Sequence, residues 1–106
     1  MPLLGLGTYK ATSGAIDAVQ IAWQCGYRHI DTASFYENEE EIGRAIKQYP
    51  REELFVTTKM WYSEHGYESA KKAFETSLKK LSLDYIDLYL VHWPGTTGFV
   101  KKVKII

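Results

Sequence analysis

The stretch YIDLYLVHWPG, residues 85–95, consists of an apolar run, a histidine, and then residues that interrupt regular secondary structure. Aromatic and aliphatic side chains dominate residues 85–91, and such side chains favour β-strands. His92 follows the run directly, and Pro94 with Gly95 ends it, because proline and glycine interrupt regular structure. The pattern therefore predicts a strand with a histidine at its carboxyl end.

Three runs upstream have a similar character. Residues 3–8 are short and apolar, residues 27–32 follow a glycine, and residues 54–58 (LFVTT) are rich in β-branched and aromatic side chains. We predict a strand at each of these runs. Together with residues 85–91, they give the chain four predicted strands.

Helical patterns separate these strands. Ser13 can cap a helix that runs to about Gln24, in which apolar residues recur at helical spacing. Asn38 stands before three glutamates, which predicts a cap and an acidic first turn. This second helix ends near Tyr49, before a proline. A third, amphipathic helix is predicted at residues 67–81, so the order is β-α-β-α-β-α-β.

Strict alternation of strands and helices predicts an α/β fold with parallel strands joined by right-handed crossovers. A doubly wound open sheet and a part of a (β/α)₈ barrel both have this order, and alternation alone does not choose between them. A complete barrel typically needs about 250 residues. The chain has 106 residues, so it holds at most half of a barrel.

The composition is that of one globular domain without net charge. Lys and Arg number 13, Asp and Glu number 13, and 45% of the residues are hydrophobic. A neutral chain has no long-range attraction to nucleic acid or to an anionic membrane, and we expect neither as a partner. The first residues do not resemble a signal peptide, so we expect a cytoplasmic protein. Its one cysteine, Cys25, is expected to be a buried packing thiol.

Polar side chains close three of the predicted strands. Asp31 ends the second strand, Lys59 follows the third, and His92 follows the fourth. Because the carboxyl ends of parallel strands lie at one edge of a sheet, we expect the three to converge on one rim. Tyr36, in the loop after Asp31, can reach the same rim. Each residue alone has an ordinary structural explanation, such as a cap or a core histidine, but the four together favour a catalytic site.

These four residue types suit the reduction of a carbonyl group. Tyrosine ordinarily has a pKa near 10 and exchanges protons poorly at neutral pH, but a neighbouring ammonium stabilises its phenolate. A carboxylate can hold that ammonium in place, and a histidine can donate a hydrogen bond to the carbonyl oxygen. No protein side chain supplies hydride, so a nicotinamide cofactor is required.

The two glycines at residues 5–7 do not indicate a Rossmann-type dinucleotide site. Residues 5–7 (GLG) are similar to the start of the dinucleotide fingerprint, but Lys10 stands where that fingerprint has its third glycine. The stretch from Gly7 to Ser13 also delays the helix whose N-terminus would hold the phosphates. We therefore do not assign a Rossmann site to residues 5–10.

Four segments carry a resemblance to a known family. Residues 26–43 (GYRHIDTASFYENEEEIG) resemble the signature of the aldo-keto reductases. Residues 57–61 (TTKMW), 84–94 (DYIDLYLVHWP) and 4–9 (LGLGTY) resemble its lysine motif, fourth strand and first strand. The resemblance covers residues 2–98 and implies the N-terminal half of a (β/α)₈ TIM barrel. We expect one partial barrel domain over residues 1–106, with residues 99–106 as an atypical tail.

The resemblance also implies an activity and the roles of individual residues. Members of the family reduce an aldehyde or ketone to an alcohol with NADPH. By this resemblance Tyr36 is the proton donor, Lys59 and Asp31 tune it, and His92 orients the carbonyl. No metal site is expected. The implied contact residues are Gly7, Thr8 and Asp31 for the cofactor, and Tyr9, Trp61, Trp93 and His92 for the substrate.

The length of the chain leaves an alternative open. Family members are roughly three times as long, in keeping with a full barrel, and their later strands make most of the cofactor contacts. A truncated, non-catalytic binding or regulatory module without the cofactor-binding half is therefore the second hypothesis. Four strands would also leave two open sheet edges, so we expect copies of the chain to self-associate and complete a barrel. The loops that would identify the aldehyde or ketone lie beyond residue 106.

Overall fold

The computed structural model describes residues 1–61 and 66–93, in which strands and helices alternate as predicted. Two short 3₁₀ turns, Ser34–Tyr36 and Arg51–Glu53, follow the second strand and the second helix. The strands are β1 (Leu6–Gly7), β2 (His29–Asp31), β3 (Phe55–Met60) and β4 (Leu88–Val91). The helices are α1 (Ala15–Gln24), α2 (Glu39–Ile46) and α3 (Tyr67–Leu81).

The four strands form one parallel sheet in the order β1-β2-β3-β4. The register pairs Gly7 with Asp31, Asp31 with Thr57, and Lys59 with Leu90. Each helix returns the chain to the same end of the sheet, which is what parallel pairing requires. The predicted parallel alternation is therefore confirmed over the described residues.

One face of the sheet packs against the helices. Side chains alternate between the two faces of a strand, so Ile30 and Val56 point into the helix layer, and both are buried. There they meet buried residues of the helices and loops, namely Ala15, Val19, Ile42, Ala45, Ile46, Leu54 and Leu81. Burying an aliphatic side chain of this size contributes about 1.5–3 kcal/mol, so this cluster is the main source of stability.

The opposite face of the sheet, which we call the inner face, carries Asp31, Thr57, Lys59 and Leu90. It is more polar than the helix-covered face. Thr57 is buried there because the ring of His29 covers it, with His29 Nε2 2.8 Å from Thr57 Oγ1. The sheet therefore has an apolar side that stabilises the fold and a polar side that positions functional groups.

Two polar networks fix β3 between its neighbours. Glu39, at the start of α2, is buried and accepts hydrogen bonds from Thr58 Oγ1 at 2.7 Å and Ser77 Oγ at 3.0 Å. At the other end of the strand, Asp87 Oδ2 accepts from the backbone N–H of Val56 at 2.8 Å and from Arg51 Nη2 at 2.7 Å. A buried carboxylate needs such donors to offset its lost hydration.

Several predicted boundaries differ from the observed ones. The first strand spans Leu6–Gly7 rather than residues 3–8, and Leu3 is fully exposed. The fourth strand begins at Leu88 rather than at residue 85, because the Asp87 side chain takes the Val56 N–H. The second helix ends at Ile46, before the predicted Tyr49, whereas the third helix, Tyr67–Leu81, has the predicted bounds.

Three expectations about single residues were wrong, and one of them concerns Asn38, which stands at the N-cap position of α2 but makes no side-chain cap hydrogen bond. Cys25 is exposed rather than buried, because it lies at the C-terminal end of α1, outside the packed stripe of that helix. Ser13 does not cap α1, which begins after Gly14 without a side-chain cap. The predicted tail at residues 99–106 lies outside the described residues. Over residues 1–61 and 66–93, no helix combines the length and hydrophobicity needed to cross a membrane.

Candidate active site

The side chains of Asp31, Tyr36, Lys59 and His92 lie together at the carboxyl end of the sheet. The Lys59 ammonium forms an ion pair with the Asp31 carboxylate and donates to the backbone carbonyl of Thr32 at 2.9 Å. The same ammonium is 5.4 Å from the centroid of the Tyr36 ring. The rings of Tyr36 and His92 meet edge to face, with centroids 5.6 Å apart.

The register of β2 and β3 explains how Lys59 reaches Asp31. Asp31 pairs with Thr57, and Lys59 is the next residue of β3 on the same face. The Lys59 side chain is only 14% exposed and that of Asp31 is 42% exposed. The ammonium is therefore held largely out of water, where a carboxylate and a carbonyl compensate for its charge.

The 3₁₀ turn Ser34–Tyr36 brings the tyrosine back over the sheet. The hydroxyl of Ser34 donates to the backbone carbonyl of Lys59 at 3.0 Å and attaches this turn to the end of β3. Ala33, before the turn, is fully buried. Glu37, after the turn, adopts the left-handed conformation with φ of 57° and redirects the chain into α2. The loop after β2 is therefore folded so that Tyr36 faces Lys59.

His92 follows β4 and is tied to the end of β3 by its backbone. Its N–H donates to the carbonyl of Met60 at 3.0 Å. Burial lowers the pKa of His92 below its ordinary value of 6.5, the Lys59 ammonium lowers it further, and the Asp31 carboxylate opposes both. The imidazole is therefore neutral at neutral pH. Its Nδ1 is buried and has no hydrogen-bond partner among the described residues.

The aromatic residues predicted to bind the substrate lie at different distances from the four central side chains. Tyr9 meets the Tyr36 ring edge to face at 5.2 Å, and Trp61 meets the His92 ring at 5.4 Å. Trp93 is exposed and contacts Trp61, with ring centroids 6.4 Å apart. Tyr9 and Trp61 therefore border the four central side chains directly, whereas Trp93 lies in the next layer.

Phe35 belongs to this site and the sequence analysis did not single it out. Its ring stacks on Trp61 at a centroid distance of 4.0 Å and lies 6.4 Å from the His92 ring. It also lines a hollow of about 270 Å³ with Tyr9, Lys10, Thr12 and Tyr36. Its position directly before Tyr36 was the signal that could have identified it.

The residues predicted to contact the cofactor differ in their exposure at the rim. A Cβ atom added to Gly7 would meet nothing within 4 Å, so the surface beside Gly7 and Asp31 is open. Thr8 is fully buried, and its hydroxyl donates to the carbonyl of Asp31 at 3.3 Å. Thr8 therefore supports Asp31 from beneath. Within the described residues, no three side chains of the kind that bind metals come together.

Comparisons with known proteins agree on one family. The sequence model of the Aldo/keto reductase family matches residues 3–98. The chain is 51% identical, over 100% of its length, to the 9,11-endoperoxide prostaglandin H2 reductase of Trypanosoma cruzi, of which it covers 39%. It is 52% identical, again over 100% of its length, to the glycerol 2-dehydrogenase (NADP(+)) of Saccharomyces cerevisiae, of which it covers 35%.

A solved structure extends this likeness to the fold. The aldo-keto reductase MGS-M4, from a deep-sea metagenome library of the Medee basin, superposes with a TM-score of 0.86 at 55% sequence identity. The match covers 96% of this chain and 38% of MGS-M4. The chain thus spans a little over a third of the relatives that it matches, and its sheet is part of a (β/α)₈ barrel rather than of a doubly wound open sheet.

Proposed function

Because the chain belongs to the aldo/keto reductase family, we propose that it carries the proton-transfer site of an NADPH-dependent reductase of aldehydes or ketones. One observation carries this proposal: Asp31, Tyr36, Lys59 and His92 meet at one rim of the sheet. The relatives are named as a reductase and an NADP(+)-dependent dehydrogenase. The family is one of oxidoreductases, and the proposed parts are the carbonyl substrate, the dependence on NADPH and the proton donor.

The proposed proton donor is the hydroxyl of Tyr36. As hydride reaches the carbonyl carbon, the oxygen gains negative charge and takes a proton from this hydroxyl. The Lys59 ammonium, 5.4 Å from the Tyr36 ring centroid, stabilises the phenolate that remains. Asp31 holds the ammonium through their ion pair. The products are an alcohol and an oxidised cofactor, with one proton to be restored to Tyr36 from solvent.

His92 is proposed to orient the carbonyl group. Its lowered pKa keeps the ring neutral at neutral pH, so the ring retains one N–H that can donate to the carbonyl oxygen. A donor fixed at the place where charge develops stabilises the transition state more than the ground state. The Trp61 and Tyr36 rings both meet the His92 ring edge to face and restrict its rotation.

The residues of the rim fit a nicotinamide ring. Gly7 has open space where a side chain would stand, so a flat ring can approach the backbone closely there. Gly7 pairs with Asp31, and Thr8 holds the backbone of Asp31. When bound, NADPH would lie along Gly7 and Asp31 and supply the hydride, with the buried Thr8 supporting Asp31 rather than contacting the ring.

The second hypothesis, a non-catalytic binding or regulatory module, has one observation in its favour. The chain covers only 35–39% of its relatives, and the resemblance implies that most cofactor contacts of the family come from its later strands. A titration of the purified chain with NADPH separates the two hypotheses, because Trp61 and Trp93 lie beside the proposed site and report binding by fluorescence quenching. Quenching that saturates supports the cofactor site, and its absence favours a module that does not bind NADPH.

The catalytic role of Tyr36 is tested in a complete barrel. We propose a hybrid in which residues 3–98 of this chain replace the matching segment of MGS-M4. Changing Tyr36→Phe should lower kcat for benzaldehyde reduction by a factor of about 10²–10⁴, the usual contribution of general acid catalysis. The Kd for NADPH should stay nearly unchanged, since the hydroxyl acts on the reacting oxygen.

Tyr49→Phe is the matched control for this measurement. Tyr49 stacks on Trp23, with ring centroids 4.4 Å apart, on the helix-covered side of the sheet. It loses the same hydroxyl group and should leave kcat unchanged. If Tyr36→Phe and Tyr49→Phe have equal kcat values close to that of the parent hybrid, another group donates the proton.

A further inference from the structure

Asn38 occupies the N-cap position of α2, yet its side chain does not cap that helix. An asparagine at this position usually accepts a hydrogen bond from a backbone N–H of the first turn. Here the side chain is fully buried, and its amide forms hydrogen bonds with the loop after β1 instead. Nδ2 donates to the carbonyl of Thr8 at 2.7 Å and to that of Ala11 at 3.1 Å. The helix thus forgoes a side-chain cap, and the loop after β1 gains two donors.

The remaining polar atom of the Asn38 amide, Oδ1, also has a partner. Oδ1 accepts a hydrogen bond from the Thr32 hydroxyl at 3.3 Å. Because carbonyl oxygens only accept hydrogen bonds, the carbonyls of Thr8 and Ala11 turn Nδ2 toward the loop and leave Oδ1 to the Thr32 hydroxyl. Thr32 directly follows Asp31, so the end of β2 and the loop after β1 are joined through one side chain.

The loop held by Asn38 carries Tyr9 and Lys10. Lys10 has a φ of 62°, a left-handed conformation that is uncommon for a residue other than glycine and costs energy to maintain. Tyr9 is 58% exposed, so its place depends on the backbone of the loop rather than on core packing. Its ring nevertheless meets Tyr36 edge to face at 5.2 Å.

We propose that Asn38 is a positioning residue that clamps the loop of residues 8–11 to the Tyr36 segment and thereby sets the spacing between Tyr9 and Tyr36. Tyr36 is two positions before Asn38 in the chain, and Tyr9 lies in the loop that the amide holds. The clamp therefore defines one wall of the hollow lined by Tyr9, Phe35 and Tyr36. The expected effect of this clamp on KM rests on the proposed reductase function, whereas its expected effect on the order of the loop does not.

Asn38→Asp is the sharpest variant, since it keeps the size and the acceptor for Thr32 but removes both donors. A carboxylate would instead face the carbonyls of Thr8 and Ala11. In the full 106-residue chain, NMR hydrogen exchange should show the amides of Ala11 and Thr12 losing protection. We expect a factor of about ten relative to the amide of Phe55, which corresponds to one or two lost hydrogen bonds. The nuclear Overhauser contact between the Tyr9 and Tyr36 rings should weaken with it.

Ile42→Val is the matched control, because Ile42 is a buried core residue of α2 that takes no part in the clamp. It should lower protection in the loop and in the sheet by one common factor. If Asn38→Asp also lowers both by one common factor, its role is general stability and the proposal is wrong. Should Asn38→Asp fail to fold, Asn38→Ala serves instead, because it removes both donors to the loop without burying a charge. It should lower protection at Ala11 and Thr12 alone, and unchanged protection there would also overturn the proposal.

The kinetic arm uses the hybrid barrel with MGS-M4. Asn38→Asp should raise KM for benzaldehyde about ten-fold, and Tyr9→Ala should do the same. Their effects should not add in the double variant, because both act through the position of one ring. Additive effects would mean that Asn38 acts on something other than Tyr9. A parent hybrid without any reductase activity would contradict the proposed function, while the exchange experiment would still decide the role of Asn38.

Discussion

The Lys59 ammonium is mostly buried at a polar rim, and its surroundings determine what the neighbouring residues can do. Its charge is balanced by the Asp31 carboxylate and the Thr32 carbonyl. The positive charge that remains acts on His92, whose pKa it lowers in addition to the effect of burial. A single cation thus faces the proposed proton donor and adds to the effect of burial that lowers the pKa of the neighbouring imidazole.

The titration of His92 should be visible in the stability of the chain. Its folded-state pKa lies below the ordinary value of 6.5, so between the two values the unfolded chain binds more protons. Stability then rises with pH through this window. The contribution is complete above the unfolded pKa of 6.5, and it decreases as pH falls below that value toward the folded pKa.

His92→Gln tests this dependence, because glutamine does not titrate. Thermal unfolding of both chains between about pH 5 and pH 8 should show a steeper loss of Tm toward acid in the parent than in the variant. The other two histidines, His29 and His65, are present in both chains, so the difference between the curves isolates His92. Parallel curves would mean that folding does not perturb this imidazole.

The sequence was more informative about strand-end residues than about side-chain partners. Asp31, Lys59 and His92 were placed at one rim because parallel strands end at one edge, and the structure puts them there. The partners of Asn38 were not predictable, since they lie in a loop some distance away in the chain. The exposure of Cys25 was missed for a similar reason: it depends on which side of α1 meets the sheet.

The contact between α2 and α3 depends on one glycine. A Cβ atom at Gly43 would lie 2.7 Å from the backbone carbonyl oxygen of Leu81, at the end of α3. Backbone atoms cannot move aside as a flexible side chain can, so Gly43→Ala should push the helices apart. We expect it to lower the free energy of unfolding by about 1–3 kcal/mol, measured by urea denaturation.

Gly7→Ala is the control for this prediction. The space around Gly7 is open to a Cβ atom, and its backbone is that of a strand. The change should alter the free energy of unfolding by no more than about 0.5 kcal/mol. An equal loss of stability in both variants would show that the cost comes from glycine replacement in general and not from the helix crossing.

At the level of elements, helices were predicted more closely than short strands. The amphipathic spacing of α3 extends over fifteen residues, so its bounds follow from the pattern. β1 has two residues, and its apolar neighbours Leu3 and Leu4 are exposed rather than paired. The start of β4 is set by the Asp87 side chain, which replaces a ladder hydrogen bond. Such tertiary substitutions leave no periodic signal in the sequence.

At the scale of the whole chain, the sheet edges determine the expected association. Within the described residues, β1 and β4 each pair on one side only, and unpaired edges favour pairing with another chain. Leu54 and Val56 are buried against the helices, while Leu90 is 39% exposed on the inner face.

We still expect the 106-residue chain to self-associate at micromolar concentration. Covering apolar surface contributes roughly 25 cal/mol per Å², and strand pairing adds hydrogen bonds. Sedimentation should therefore show species larger than 12.2 kDa, and Leu90→Glu should shift them toward the monomer. Ile21→Glu, on the exposed side of α1, should not. A sharp monomeric boundary for the parent chain, with cooperative unfolding, would contradict this expectation.

The order β1-β2-β3-β4 in space is also the order in which the strands are translated. A chain leaving the ribosome therefore presents each strand after β1 to a neighbour that has already been made: Ile30 to Leu6, Val56 to Ile30, and Leu88 to Thr57. Within the described residues, each strand after β1 can pair as soon as it has been made, and this shortens the time for which an unpaired edge is exposed during synthesis. The ion pair between Lys59 and Asp31 can form before His92 has been translated.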